Sequence, residues 1–322
     1  MRNPRLSPLA HITLVLLFCL TWSSAFSMGK LALSVCPPNL FLGLRFFIAG
    51  GLLLAWAVFR GEARQAPPRV WLGLALLGLI NQAGYLGLVW NGMKFVSSGL
   101  AAVIASSNPI FVSAAALPFL AERMSKQRAL GLAIGMAGVI FVLRNRIQVS
   151  GAEAGGIAMV NGGMFSFVAG TLIFKRWSPQ VPLTLVVGIQ SLSGGVVLMS
   201  LGLTLENIQD IQLVPVFWLT LAYNVLVISI GAFALWFTLL RMGSATSASS
   251  FHFLNPPLGL FLGWVVLGER VSLVDLLGIF PIALGILLVT VQGNPFKSAS
   301  PVNAPAPHTT PSALSAETSS GE

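Results

Sequence analysis

Charged side chains are scarce in this chain of 322 residues: they make up 8% of it, whereas hydrophobic residues make up 55%. A soluble globular chain carries about 25% charged residues. So few ionised groups cannot cover the water-exposed surface of a chain this long, which excludes a soluble fold. The composition therefore indicates a membrane protein.

Residue patterns for several kinds of chemistry are also missing. The two cysteines, Cys19 and Cys36, form no disulfide framework, and the sequence holds no cluster of metal ligands. It has no Walker A or GxGxxG loop to bind ATP, and no GxSG motif for an intramembrane serine hydrolase. No Asp or Glu lies centrally in an apolar stretch, which excludes a carboxylate proton relay. We therefore expect no enzyme, cofactor or metal.

Long apolar stretches are abundant. A membrane-spanning helix needs about 20 mostly apolar residues, and runs such as Leu52-Leu53-Leu54 lack the alternation of barrel strands. The first stretch has no small-residue cleavage site behind it and predicts an uncleaved span. The sequence predicts an all-α polytopic protein with ten spans, at 10–33, 40–59, 70–90, 98–120, 127–143, 155–174, 183–203, 214–240, 245–267 and 272–291.

The formal net charge of +9 follows the connections between these spans. With the N-terminus inside, twelve of the 18 basic residues fall in inner segments, five fall in outer segments, and Arg45 falls within a span. This bias obeys the positive-inside rule and predicts that both termini are cytoplasmic. It explains the basic charge without a nucleic-acid partner. Residues 293–322, rich in Pro, Ser, Thr and Ala, are predicted to form a disordered cytoplasmic tail.

The sequence contains an internal repeat. Residues 94–142 match 241–289 at an offset of 147, which pairs Asn108-Pro109 with Asn255-Pro256 and Glu122-Arg123 with Glu269-Arg270. Earlier in each half the offset is 145. Each repeat holds five predicted spans, an odd number, so the second copy is inverted across the membrane. This predicts a repeat over 1–148 and an inverted repeat over 149–292, around a central cavity, an architecture that suits transport.

These features resemble the drug/metabolite transporter superfamily, specifically its ten-helix EamA-type members. The resemblance covers residues 10–291. It rests on Trp22-x-Ser24-x-Phe26-x3-Lys30, Arg45, Pro109, and the ending Leu120-Ala121-Glu122-Arg123 with its copy Leu267-Gly268-Glu269-Arg270. Among that superfamily the chain looks similar to the bacterial aromatic amino-acid exporters. The second half departs from the pattern, because Phe167 stands for Trp22 and Gln190 for Arg45.

Polar residues at membrane depth are candidates for function, each beside a structural alternative. The Asn-Pro pairs predict kinks at mid-span, which act either as gating hinges or as static bends. His252 could bind substrate or couple protons, or could be a packed histidine. Arg45, the one cation well inside a span, could accept a carboxylate or snorkel outward. Asn81, Gln82 and Tyr85 share a stripe that indicates either a water-filled lumen or interhelical packing.

We predict a secondary transporter that exports small metabolites, aromatic or other neutral amino acids first, across the bacterial inner membrane by alternating access. The alternatives are an exporter or flippase of another amphipathic solute or lipid, a channel, and an intramembrane hydrolase. A monomer is expected, with membrane lipid and a small-molecule substrate as its partners. The predicted substrate-binding or cavity-lining residues are Trp22, Arg45, Asn81, Gln82, Tyr85, Asn108, Phe165, Trp236, Phe251, His252 and Asn255, and the predicted hinges are Pro109, Pro256 and Pro257.

Overall fold

The computed structural model describes residues 7–96, 101, 104–122, 124–143, 151–267, 277 and 279–291, and within these ranges it contains helices and no strand. Arg123, Glu269-Arg270 and the predicted tail at 293–322 lie outside them. The helices are α1 (Pro8–Leu33), α2 (Pro38–Phe59), α3 (Pro68–Gly92), α4 (Asn108–Leu120), α5 (Lys126–Leu143), α6 (Gly151–Trp177), α7 (Leu183–Leu205), α8 (Pro215–Met242), α9 (Ala245–Ser250), α10 (Asn255–Leu267) and α11 (Ile279–Val291).

Two helices change pitch in the middle. In α3 the residues Leu79–Gly87 form a π-helical segment, called π1 here, and in α8 the residues Asn224–Ala232 form a second one, π2. Each segment is nine residues long. Adding the repeat offset of 145 to the bounds of π1 gives the bounds of π2. Since π-helical turns are rare and often mark functional sites, their matched positions direct attention to the helices packed beside them.

Prolines determine where most long helices start. Pro8, Pro38, Pro68 and Pro215 lie in the first turn of α1, α2, α3 and α8. A first-turn N–H has no acceptor within its own helix, so a residue without this donor is tolerated there. Prolines in the sequence therefore mark the starts of these four helices.

Among the described residues, six helices are long and apolar enough to cross a membrane. They are α1, α2, α3, α6, α7 and α8, and they coincide with the first three predicted spans and with the sixth to eighth. Shorter apolar helices, Ile104–Leu120 and Phe280–Val289, occupy the fourth and tenth predicted spans. Large apolar side chains such as Phe59, Leu203 and Trp218 are exposed, as expected for side chains that face lipid.

Each Asn-Pro pair lies where the helical geometry changes within its predicted span. Helix α4 starts at Asn108 after a turn at Ser107, which puts Pro109 in its first turn. Helix α10 starts at Asn255 after a 3-10 turn over Phe251–Leu254. Proline is tolerated at these starts for the reason given above. Both pairs therefore follow a local change of helical geometry, and their role as gating hinges or static bends stays a prediction.

Two helix pairs pack with their backbones almost in contact, and glycine permits both approaches. A Cβ added to Gly43 of α2 would lie 2.8 Å from the Met199 Cα of α7. One added to Gly131 of α5 would lie 2.8 Å from the Gly285 carbonyl oxygen of α11. Along both pairs the residue numbers rise in one helix as they fall in the other, so each pair is antiparallel. Small residues that allow such approach are typical of helix packing in membranes.

The contacts in these two pairs occur in reciprocal sets. Gly43 meets Met199, and adding 145 to Gly43 while subtracting 145 from Met199 gives Gly188 and Leu54, which also meet. For α5 and α11 the repeat offset is 147. Adding it to Gly138 and subtracting it from Ile282, which Gly138 meets, gives Gly285 and Gly135, and these residues also meet. In each pair, a helix therefore contacts the helix that corresponds to it in the sequence repeat. These reciprocal contacts are those expected of an inverted repeat.

Candidate functional site

Arg45 of α2 is a buried cation whose recorded hydrogen-bond partners are neutral. Its side chain is 1% exposed, Nε donates to Ser229 Oγ at 2.7 Å, and Nη1 donates to Asn224 Oδ1 at 3.1 Å. Nη2 is buried and has no hydrogen-bond partner within the described residues. No carboxylate forms an ion pair with Arg45 in that part of the chain. Within the described residues, no anionic side chain therefore compensates the guanidinium.

Arg45 lines a pocket whose other walls are largely aromatic and aliphatic. The space between the walls measures about 430 Å³, including the part open to the surroundings. Aromatic rings also lie close to the charge, with the guanidinium carbon 4.9 Å from the Phe46 ring centroid and 5.9 Å from that of Trp90. Both distances allow cation–π attraction. The lining residues are Trp22, Ala25, Phe26, Arg45, Tyr85, Leu86, Val89, Trp90, Met93, Ile228 and Phe233.

A cluster of rings closes one side of this pocket at Trp22. The Trp22 ring lies 5.3 Å from Phe233, 5.7 Å from Phe167, 6.0 Å from Trp236 and 5.2 Å from His252, between ring centroids. Edge-to-face and tilted contacts at these distances are favourable for aromatic rings. Trp22 thus belongs both to the pocket and to the packed cluster behind it.

His252 lies in that cluster and outside the pocket lining. Besides Trp22, its ring contacts Phe18, Phe167 and Trp236, at centroid distances of 5.4, 5.7 and 5.1 Å. Its Nδ1 lies 3.1 Å from Asn255 Nδ2, and Asn255 Oδ1 accepts from the Ser23 hydroxyl at 3.2 Å. Because the amide nitrogen donates, Nδ1 is the acceptor and the ring proton lies on Nε2. This geometry is that of the packed histidine, one of the two alternatives.

The polar stripe on α3 divides between two environments. Tyr85 lines the pocket and its ring lies 4.6 Å from that of Phe167. Asn81 instead donates to Gln190 Oε1 of α7 at 2.8 Å, and Gln82 is packed against Gly194 of the same helix. Both amide atoms of Gln82 lack a hydrogen-bond partner within the described residues. Asn81 and Gln82 therefore pack against α7, and Tyr85 lines the pocket.

The remaining predicted site residues lie apart from the pocket. Asn108 and Trp236 are buried outside its lining, and Phe251 is half-buried against the core. Pro109 and Pro257 are buried, and the Pro256 side chain lies outside the described residues. Phe165 also lies outside the pocket lining: it is 55% exposed and packs on the half-buried Phe111. Helix α6 turns Phe167 inward, and a residue two positions away lies about 200° around an α-helix.

The two partners of Arg45, Ser229 and Asn224, belong to π2 and lie outside the pocket lining. In the sequence, Tyr223 and Asn224 form a polar pair in the eighth predicted span, which indicates either a lumen or interhelical packing. Ser229 is not among the residues that the sequence predicts. Trp90 ends the third predicted span, where tryptophan is typical of the membrane interface. Its burial shows that it belongs to the pocket wall instead.

Two lysines, one in each half, cap helix ends at positions related by the repeat. Lys175 of α6 donates to the Leu240 carbonyl of α8 at 2.7 Å and also to the Gly243 carbonyl. Lys30 of α1 lies 3.5 Å from the Met93 carbonyl beyond α3 and is exposed. The contact made by Lys30 is thus a loose form of the one made by Lys175.

Several known proteins similar to this chain are transporters by name. It is 32% identical over 292 residues to the uncharacterized inner membrane transporter YedA of Escherichia coli (strain K12), with 88% of this chain and 91% of the relative covered. It is 28% identical over 298 residues to the uncharacterized transporter YvbV of Bacillus subtilis (strain 168), with 91% and 95% covered.

The fold and the family are also shared with known proteins. A crystal structure matches with a TM-score of 0.73 at 19% identity, and covers 89% of this chain and 98% of its own. The EamA-like transporter family matches twice, over residues 9–144 and 154–291. The chain therefore belongs to the EamA-like transporter family and is a multi-pass membrane transporter.

Proposed function

We propose that this transporter is a secondary exporter of aromatic and other neutral amino acids, which acts by alternating access across the bacterial inner membrane. The observation that carries the proposal is an uncompensated guanidinium at Arg45 beside the aromatic walls of Trp22, Tyr85 and Trp90. A substrate with a carboxylate and an apolar ring matches both features, through a charge-assisted hydrogen bond and ring stacking.

The proposed architecture is ten helices in two inverted five-helix repeats, acting as a monomer with both termini in the cytoplasm. Its support is twofold. The family matches the chain once in each half, and the antiparallel pairs α2–α7 and α5–α11 each bring a helix against its own counterpart in the other half. Helices paired in this way would exchange roles between inward-open and outward-open states. Reporter fusions to the C-terminus, read by cytoplasmic fluorescence and external phosphatase activity, test the orientation.

Counterflow in proteoliposomes tests the proposed substrate. Purified protein should exchange labelled phenylalanine or tryptophan with saturation, and should exchange aliphatic neutral amino acids more weakly. Runs with and without a pH gradient separate proton coupling from facilitated exchange. Exchange that does not saturate would indicate a channel, and dependence on labelled lipid would indicate a flippase.

Two variants test the assignment of the site. Tyr85→Ala removes a ring of the pocket wall, and His252→Ala removes the centre of the aromatic cluster. Both should reduce counterflow, the first mainly through KM because it lines the pocket. Normal flux in both folded variants would overturn the assignment.

A further inference from the structure

The bonds from α8 to Arg45 depend on the π-helical segment. Asn224 and Ser229 are five residues apart, and residues at this spacing lie about 140° apart around an α-helix of 3.6 residues per turn. In a π-helix the hydrogen bonds run from i to i+5, so residues five apart lie close to one face. Because of this change of pitch, one helix can present both acceptors to a single guanidinium.

The Asn224 amide is held in the orientation that favours the cation. Its Nδ2 donates to the Thr220 carbonyl at 2.9 Å, which leaves Oδ1 as the atom directed at Arg45. A guanidinium has five N–H donors, of which the two acceptors satisfy only part. Neutral acceptors orient it without cancelling its charge, whereas a carboxylate in the same place would cancel it.

The other half of the chain carries the uncharged form of the same contact. At the repeat offset of 145, Gln190 corresponds to Arg45 and π1 corresponds to π2. Gln190 accepts a hydrogen bond from Asn81 of π1 at 2.8 Å. That amide pair contributes no charge. A fixed positive charge is therefore a property of one half, and it depends on what surrounds Arg45.

We infer that Asn224 and Ser229 are positioning residues that keep Arg45 oriented and uncompensated, so that the pocket selects substrates bearing a carboxylate. This inference rests on the proposed function, which assigns the carboxylate to Arg45. It makes position 224 a determinant of specificity. A neutral residue there favours the free acid, and an acidic residue there favours the matching carboxamide.

The variant Asn224→Asp tests this directly. The added carboxylate would lie where Oδ1 now accepts from Arg45 Nη1 at 3.1 Å and would neutralise the cation. Apparent affinity is measured by competition against labelled phenylalanine, with phenylalanine and phenylalaninamide as a matched pair. The preference for the acid over the amide should fall about tenfold or more, the scale of one lost bond to a charged group. A purely structural role would weaken both ligands equally.

Asn161→Asp is the matched control. Asn161 also donates to the carbonyl four residues before it, Ile157 at 2.9 Å, and it has no bond to Arg45. The Asn161→Asp variant introduces the same charge into a membrane helix and should leave the ratio of acid to amide affinity unchanged. A second variant, Ser229→Ala, removes the Nε acceptor with little change of volume and should lower the ratio to a smaller extent.

The outcomes separate the two proposals. Thermal stabilisation of the detergent-purified protein by each ligand gives a binding readout that does not depend on flux. An unchanged acid preference in folded Asn224→Asp and Ser229→Ala overturns the positioning role while the proposed function stands. A wild-type protein that does not distinguish acid from amide overturns both this inference and the carboxylate part of the proposed function.

Discussion

The two halves of the chain make helix contacts at matching positions and differ in a few side chains near the pocket. Helices α2 and α7 occupy matching places, yet α2 brings Arg45 to π2 and α7 brings Gln190 to π1. Likewise Trp22 lines the pocket on α1, while its counterpart Phe167 lies behind it on α6. The comparison teaches that helix contacts at matching positions carry different chemistry, because the charge and the larger ring that line the pocket belong to the first half.

The largest effect is expected when the two halves are made alike at Arg45. Arg45→Gln places in α2 the residue that α7 has, without burying a new charge. Uptake of carboxylate substrates, measured as kcat/KM in counterflow, should fall about tenfold to a hundredfold because a charge-assisted bond is lost. Arg60→Gln, an exposed position after the same helix, is the control and should behave as wild type. Near-normal transport by Arg45→Gln would contradict the assignment.

The lysine caps provide a second way to compare the halves. Lys175→Met leaves the Leu240 and Gly243 carbonyls without their donor, which should cost about 1–3 kcal/mol. Lys30→Met removes only a contact of 3.5 Å from an exposed side chain and should cost less. The thermal unfolding midpoint in detergent should therefore drop by several degrees for the first variant and barely change for the second. Equal decreases in the unfolding midpoint would contradict this expectation, because they would mean that both lysine contacts stabilise the protein equally.

A smaller effect is expected at Trp22. Trp22→Phe gives α1 the ring type of its counterpart Phe167, so the pocket loses part of one wall while the cluster keeps an aromatic contact. Because an aromatic pair contributes about 0.5–1.5 kcal/mol beyond its buried area, the KM for tryptophan should rise severalfold with little change in kcat. Phe111→Leu, at a half-buried ring that contacts Phe165 and lies outside the pocket lining, should leave KM unaltered. A KM that stays constant in Trp22→Phe would remove this ring from the binding site.

The smallest difference concerns the connections that precede α2 and α7. The first carries Cys36 where the second carries Val181. Burial, helped by the nearby Glu206 carboxylate, raises the pKa of the Cys36 thiol to about 12. The reactive thiolate is thus scarce at neutral pH, and alkylation by maleimide in a Cys19→Ser background should stay slow from pH 7 to 9. Glu206→Gln should speed it slightly, and unfolding should speed it greatly. Rapid labelling of the folded protein at pH 7 would contradict this pKa.

The sequence predicts the positions of the helices better than their rotation. Apolar runs bounded by proline locate the six long helices, and polarity alone identifies Arg45 as unusual. The pairing of Arg45 with Asn224 and Ser229 could not be predicted, because it depends on a π-helical register that the sequence of α8 does not reveal. The exposure of Phe165 and the burial of Phe167 were equally unpredictable, because α6 has apolar residues on its outer face as well and periodicity does not fix which side faces the core.

The glycine-lined seam between α2 and α7 has the construction of an isologous interface, in which a patch meets a copy of itself. In a homodimer, such an interface obliges both partners to carry the same side chains, so a buried arginine on one would be matched by a buried arginine on the other. Here a single polypeptide supplies both faces. Covalent linkage fixes their ratio at one to one and frees each face to vary, so this seam can join a charged helix to a neutral one.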